Sequence, residues 1–146
     1  MRVVLDTNVL VSALKSDMGA SFALISRLPS EKFQIALSVP LYLEYQDVLT
    51  RDENMSGGST QKEIFGFLRY LCSISYKQDV FFLWRPFLKD PKDDMILEAA
   101  VASNSKYIVT HNLKDFRGVE RFGIDAIKPA DFLKKLKETN NEYING

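Results

Sequence analysis

The run Val3-Val4-Leu5, closed abruptly by Asp6-Thr7-Asn8, constrains this chain more than any other stretch. Three apolar residues in a row, two of them β-branched, suit a short strand buried on both faces, the environment of a parallel sheet. A carboxylate directly behind such a strand is costly unless it is paired, hydrogen-bonded or bound to a cation. Ligands of open α/β sheets bind at the carboxyl ends of the strands, where Asp6 would stand. Asp6 or Asn8 would serve equally as the cap of a helix beginning at Val9. On this stretch alone both readings stay open.

The rest of the chain alternates in the same manner. Helical spacing covers 9–14 and 20–28, and Pro29-Ser30 stops the second of these. Residues 33–38 read as a strand, and Pro40 opens a helix to Leu49 with Leu41, Tyr45 and Val48 on one face and Glu44 on another. Residues 51–61, with Gly57-Gly58, read as a loop. Thr60 and Glu63 form a capping box for a helix over 61–73. Residues 79–83 suggest a third strand and 84–89 an irregular segment. Asp90-Pro91 then opens a helix to Asn104. Strands follow at 106–110 and 123–127, and Pro129 starts a last helix over 130–136. This order predicts an α/β fold: a three-layer α/β/α sandwich around a mostly parallel sheet, with 3–5, 35–37 and 108–110 as neighbouring parallel strands.

With 146 residues the chain suits one domain, expected over 1–137, with a polar tail over 138–146. Lys+Arg and Asp+Glu balance at 19 each, so a polyanion partner would need a local basic surface. Cys72 is the only cysteine, which excludes an intrachain disulfide and fits a reducing compartment. Asp6 interrupts the first apolar run before a secretory signal can form, and no stretch approaches a membrane span. A cytoplasmic location is expected.

Carboxylates recur where strands end and helices begin. Asp6 follows the first strand, Glu44 lies in the helix after the second, Asp93 and Asp94 open the helix before the 106–110 strand, and Asp115 follows that strand. A doubly wound sheet brings these loops to one edge. Several carboxylates in one pocket repel one another, and hard divalent cations with oxygen ligands relieve this. With one histidine, His111, and one cysteine, no zinc site of the usual composition can be assembled. Each acid also has an ordinary reading: Asp90 and Asp93 as helix caps, Glu44 as a solvated residue, Asp115 as a turn residue. The Phe and Tyr stripes are core material.

Leu5-Asp6-Thr7-Asn8-Val9-Leu10, Leu37-Ser38-Val39-Pro40 with Glu44 and Leu49, Asp90-Pro91-Lys92-Asp93-Asp94, Tyr107-Ile108-Val109-Thr110 and Asp115-Phe116 together resemble the PIN-domain family. The group most similar comprises toxin components of type II toxin–antitoxin systems. The likeness extends to the closing segment Ile127-Lys128-Pro129-Ala130-Asp131-Phe132-Leu133. It implies a ribonuclease that binds Mg²⁺ or Mn²⁺. By position, Asp6, Glu44 and Asp94 match the family's three regular acids. The fourth acid falls either two or five residues after the threonine; Asn112 holds the first place and Asp115 the second. Asn8, Ser38 and Thr110 match the supporting polar residues, with Asp93 and Asn112 beside them. The resemblance also implies an antitoxin partner and a homodimer.

Such chemistry follows from charge. A phosphodiester repels nucleophiles, and metal held by the acids would bind the phosphate, activate a water and stabilise the leaving oxygen. Asp6, Glu44, Asp94 and Asp115 are the expected catalytic and metal-binding set. Arg2, Lys89, Lys92, Lys114 and Arg117 flank the acidic motifs and are candidates to guide the RNA backbone. Two alternatives compete: a binding module that keeps the fold without the activity, and a phosphoaspartate phosphatase or receiver-like domain using Asp6. In the phosphatase a second acid stands two residues after the nucleophile, where this chain has Asn8.

Overall fold

The computed structural model describes residues 1–55, 58–80 and 87–145, with 139–145 as backbone alone. Its centre is β1 (Arg2–Leu5), in which Val3, Val4 and Leu5 are wholly buried. Burial on both faces needs a strand neighbour on each side and helices above and below. The sheet supplies this. β2 (Gln34–Leu37) pairs in parallel on one side of β1, with Val3 opposite Ile35. β4 (Tyr107–Val109) pairs in parallel on the other, with Val4 opposite Ile108 and Leu5 opposite Val109. β3 (Tyr76–Lys77) and β5 (Asp125–Ile127) complete a five-stranded, all-parallel sheet in the order β3-β2-β1-β4-β5. The three expected neighbours therefore pair as read, with Thr110 just past the end of β4. The architecture is a three-layer α/β/α fold.

The strand order fixes where a site can be. The chain runs outward from β1 to β2 to β3, then returns to lay β4 on the free side of β1. Loops leaving β1 and β4 diverge at this reversal and leave a crevice at the carboxyl ends of both strands. Asp6 directly follows β1 and Thr110 directly follows β4.

Helices fill the crossovers. α1 (Thr7–Lys15) and α2 (Ala20–Ile25) connect β1 to β2. α3 (Val39–Leu49), the short α4 (Asp52–Met55) and α5 (Gln61–Ile74) lead to β3. Thr60 and Glu63 close the expected capping box on α5, each accepting from the other's backbone amide. α6 (Pro91–Ala102) crosses back to β4, and its buried Ala99 and Ala100 allow close approach to the sheet. Asn104 ends that crossover in the left-handed region at φ 56°, which Asn tolerates better than most residues. α7 (Pro129–Asn145) closes the chain.

Several elements differ from the sequence reading, among them four by more than a residue or two or by their presence. The third strand is Tyr76–Lys77 rather than 79–83: Gln78 N donates to Leu37 O at 2.9 Å, after which residues 79 and 80 leave the sheet. An edge strand with Lys77 exposed carries little hydrophobic signal, so the apolar run beyond it attracted the assignment. Residues 81–83 of that run, 84–86 of the irregular segment, and Ser56 and Gly57 of the 51–61 loop lie outside the described residues. α2 ends at Ile25, not Leu28. α4 forms inside the expected loop, where Asn54 Nδ2 donates to Val48 O at 2.7 Å. α7 runs well past Leu136, carrying helical backbone through residues expected as a polar tail.

α7 is fastened by Phe132, which is fully buried. Its ring stands edge-to-face against Phe33 at 5.1 Å and against Tyr107 at 5.8 Å. Phe132→Ala should therefore lower the unfolding free energy by roughly 3–5 kcal/mol, read as a shifted urea midpoint. An unchanged midpoint would show that α7 adds nothing to the cooperative core.

Candidate active site

Asp6 is 7% exposed at the N-cap position of α1, with extended backbone (φ −66°, ψ 147°). Its carboxylate makes no capping hydrogen bond. Instead Thr110 Oγ1 donates to Asp6 Oδ2 at 2.7 Å, across 104 residues of sequence. The same hydroxyl oxygen accepts from Asn112 N at 3.0 Å. Asn8 Oδ1 accepts from His111 N at 3.3 Å, and the His111 ring meets Ser21 Oγ at 2.7 Å. The ends of β1 and β4 are thus stitched together around one buried carboxylate. Burial pushes the Asp6 carboxyl up from its ordinary value, partly offset by the Thr110 hydroxyl and the Thr7 amide, while the charge of Asp115 pushes it further.

α6 delivers the next acids, each in a different role. Asp90 is the cap and accepts from Lys92 N at 2.9 Å. Asp94 is buried, and its Oδ1 accepts from Leu88 N at 2.9 Å and Phe87 N at 3.2 Å. Asp93 is half-buried and makes no cap. Its carboxyl is pushed up to about 7, first by burial, then by the charges of Asp6, Asp90, Asp115 and Asp94. Asp115 is exposed in a 3-10 turn (Leu113–Phe116) after β4, with its amide on Asn112 O. Its influence on both Asp6 and Asp93 puts it on the same electrostatic surface.

A cleft lies along this surface, lined by Phe87, Leu88, Lys89, Asp90, Asp93, Lys114, Asp115 and Arg117. It gathers three of the sequence-predicted cations, Lys89, Lys114 and Arg117, beside Asp93 and Asp115. Lys92 instead faces Glu44, with Nζ and Oε1 3.6 Å apart; the Glu44 side chain is largely covered. Ser38 caps α3 and accepts from Leu41 N at 3.3 Å. Arg2 does not join the site. It opens β1 at the opposite edge of the sheet, donates to Ser103 O at 2.9 Å and lies 3.8 Å from the Tyr76 ring centre. Four residue steps of extended chain carry it about 13 Å from Asp6. Nearness in sequence to the acidic motif was misleading, because a strand carries its two ends apart.

The sequence places Tyr45 on the apolar face of its helix but does not show the role of its hydroxyl. It is wholly buried on α3, and its hydroxyl donates to the Leu5 carbonyl at the end of β1. Burial, then the charge of Asp6, pushes its phenol well above the ordinary value. The available signal was that a buried tyrosine needs a hydroxyl partner, and the strand end beside Asp6 offers one.

Among the described residues, no three carboxylate, imidazole or thiol groups converge closely enough to enclose an ion. By donor chemistry the acids nevertheless suit a hard divalent cation: all are oxygen donors, and burial together with their mutual repulsion holds a proton on Asp93 to near neutrality.

A family model for the PIN domain matches residues 2–114. The chain belongs to the PIN-domain family. PIN domains are generally nucleases and generally use divalent metal ions. The match takes in Asp6, Glu44, Asp94 and Asn112 and ends one residue before Asp115. Among solved structures, a chain from the crystal structure of VapBC2 from Rickettsia felis bound to a DNA fragment from its promoter aligns with a TM-score of 0.57 at 18% identity. The alignment covers 88% of this PIN-domain chain and 98% of that one, and at such identity the likeness concerns the fold. A comparison with curated proteins gives no match. Among the described residues no helix is long and apolar enough to cross a membrane.

The raised Asp93 carboxyl has a direction in stability. Unfolded, it titrates near 3.8; folded, near 7. The folded state therefore holds the extra proton between these values, and the stability it contributes is full below 3.8 and lost as pH rises through 7. In EDTA, the melting temperature should fall between pH 5 and pH 8. Asp93→Asn should recover roughly 1 kcal/mol at pH 8, a figure reduced for solvent screening of a half-buried group, and almost nothing at pH 4. Equal effects of Asn at both pH values in a thermal melt would remove the electrostatic account.

Proposed function

We propose that this protein is a cytoplasmic, Mg²⁺- or Mn²⁺-dependent ribonuclease and the toxin half of a toxin–antitoxin pair. The observation that carries the reading is the buried Asp6, fastened by Thr110 at the strand-order reversal and sharing one negative surface with Asp93, Asp94 and Asp115. Family membership supports nuclease chemistry. The likeness to a VapBC2 chain supports a protein partner and, more loosely, the toxin assignment.

In this reading Asp6, Glu44, Asp94 and Asp115 hold the ion, with Asn112 as a neutral oxygen beside them. The bound ion supplies Lewis acidity, which activates a water and offsets charge on the phosphate. The chain's residues do the rest. Thr110 fixes the orientation of Asp6, and the Phe87 and Leu88 amides fix that of Asp94. Lys89, Lys114 and Arg117 receive the flanking phosphates. Lys92 lies against Glu44 and offsets its charge. Asp6 and Asp94, each fixed by its own hydrogen bonds, would be the principal carboxylates for such an ion.

A binding-only module is the second reading, favoured by the spacing of the acids, which do not converge in threes among the described residues. A phosphoaspartate role for Asp6 has less support, because the carboxylate is buried and already accepts from Thr110. A homodimer is expected, and light scattering at high concentration tests it.

Two measurements separate these readings. Purified protein should cleave mixed RNA in Mg²⁺ or Mn²⁺, and both excess EDTA and Asp6→Asn should reduce cleavage to background while Asp6→Asn keeps the fold. Full cleavage in EDTA would refute the metal-dependent reading. For the fourth acid, Asp115→Asn should reduce the rate more than Asn112→Ala, and Asn112→Asp should tighten Mn²⁺ binding in calorimetry. The reverse order of the first two variants would move the ligand role to Asn112.

A further inference from the structure

We infer that Tyr45 is a positioning residue of the acidic site: its hydroxyl, on the Leu5 carbonyl, fixes the peptide plane from which Asp6 projects and ties it to Glu44, the residue before Tyr45 on α3. The consequence for a bound ion rests on the metal-dependent reading proposed above; the positioning itself does not.

The last pair in the ladder between β1 and β2 is Val3 opposite Ile35. Leu5 lies beyond it and is wholly buried, where a carbonyl without a donor is costly. Asp6 N donates to Val109 O of β4 at 2.9 Å. The Leu5 carbonyl belongs to the same planar trans peptide and points the opposite way, to the β2 side. There the donor comes from α3, as the Tyr45 hydroxyl. One peptide plane is thus held from both edges, by β4 through its N–H and by α3 through its C=O. Asp6 hangs from that plane, and Thr110 then orients the carboxylate. The charge of Asp6 is felt at the buried phenol, so the two side chains are neighbours. Glu44 rides on the same helix. Ser38 fixes where α3 begins by accepting from Leu41 N at 3.3 Å, and Tyr45 fixes its middle against β1. A helix held at two points resists sliding and turning, so Glu44, largely covered and 3.6 Å from Lys92, keeps its place relative to Asp6. A phenylalanine would fill the same space and remove the donor. A tyrosine serving only as core, with its hydroxyl satisfied, would add stability without a selective effect at Asp6.

The test is amide hydrogen exchange of the whole chain in EDTA, followed by NMR at two positions: the Asp6 amide, and the Phe132 amide of α7, which donates to Lys128 O. In wild type the Asp6 amide should be protected to the same order as that of Phe132, although it lies just past the end of β1. Rapid exchange at Asp6 would overturn the positioning role before any variant is made. Tyr45→Phe should speed exchange at Asp6 on the order of 10-fold more than at Phe132. Leu49→Ala removes a buried apolar side chain from the same helix and should speed both amides alike. Equal acceleration of the two amides in Tyr45→Phe, or none at Asp6, would reduce Tyr45 to packing. Mn²⁺ binding is read separately by calorimetry. Tyr45→Phe should weaken it on the order of 10-fold, while folded Leu49→Ala keeps the wild-type affinity. Equal Mn²⁺ affinity in wild type and Tyr45→Phe, or equal weakening by Leu49→Ala, would overturn the link from Tyr45 to the ion. No Mn²⁺ binding by wild type would refute the metal-dependent reading. The exchange result would then decide alone, a selective rise at Asp6 upholding the positioning role and a shared rise overturning it.

Discussion

The hydrogen bond from Thr110 to the buried Asp6 carboxylate is the contact on which the rest of the site depends. A carboxylate placed directly after the central strand is expensive to bury, and burial raises its carboxyl. The hydroxyl, with the Thr7 and Asn8 amides, offsets part of that cost. Because Thr110 follows β4 and Asp6 follows β1, the bond also closes the sheet at its reversal, next to the backbone bond from Asp6 N to Val109 O. One interaction therefore positions the acid and locks the two strands whose outgoing loops border the crevice.

Much of this was legible because it is written in local pattern. The run Val3-Val4-Leu5 announced a doubly buried strand, and alternating strand and helix signals announced a parallel sheet. Thr60 with Glu63, and Asp90 with Pro91, announced helix starts that the structure has. What escaped was set by tertiary context. β3 is two residues long and polar at its edge, so its pairing with Ala36 and Leu37 leaves no hydrophobic trace. Tyr45 looked like core material, and only the fold shows that its hydroxyl serves the end of β1. Arg2 lay close to Asp6 in sequence, yet a strand separates them in space.

The acids on α6 show how one motif divides its labour. Asp90, Asp93 and Asp94 fall within five residues, and each sees a different environment. Asp90 faces the free amides of the helix start and caps it. Asp94, one helical turn on, points inward and is held by two loop amides. Asp93 lies between them, part-buried and among the charges of its neighbours; burial first, and those charges next, hold its proton to about 7. A sequence shows three equivalent carboxylates; burial and partners make them a cap, a fixed acid and a strained one.

Phe87 connects this acidic wall to the aromatic margin. Its amide donates to Asp94, while its ring carries Phe122 and Arg121. The backbone opposite must therefore come very near the ring. It does so at Gly118, where φ is 92° and an added Cβ would sit 3.1 Å from Phe87 Cζ. Glycine meets both demands: the left-handed conformation that side chains disfavour, and the space the ring occupies. A larger residue there would strain its own backbone and press on Phe87, and through the Phe87 amide the pressure would reach Asp94. Placement of Asp94 thus rests in part on the packing of Phe87 against Gly118.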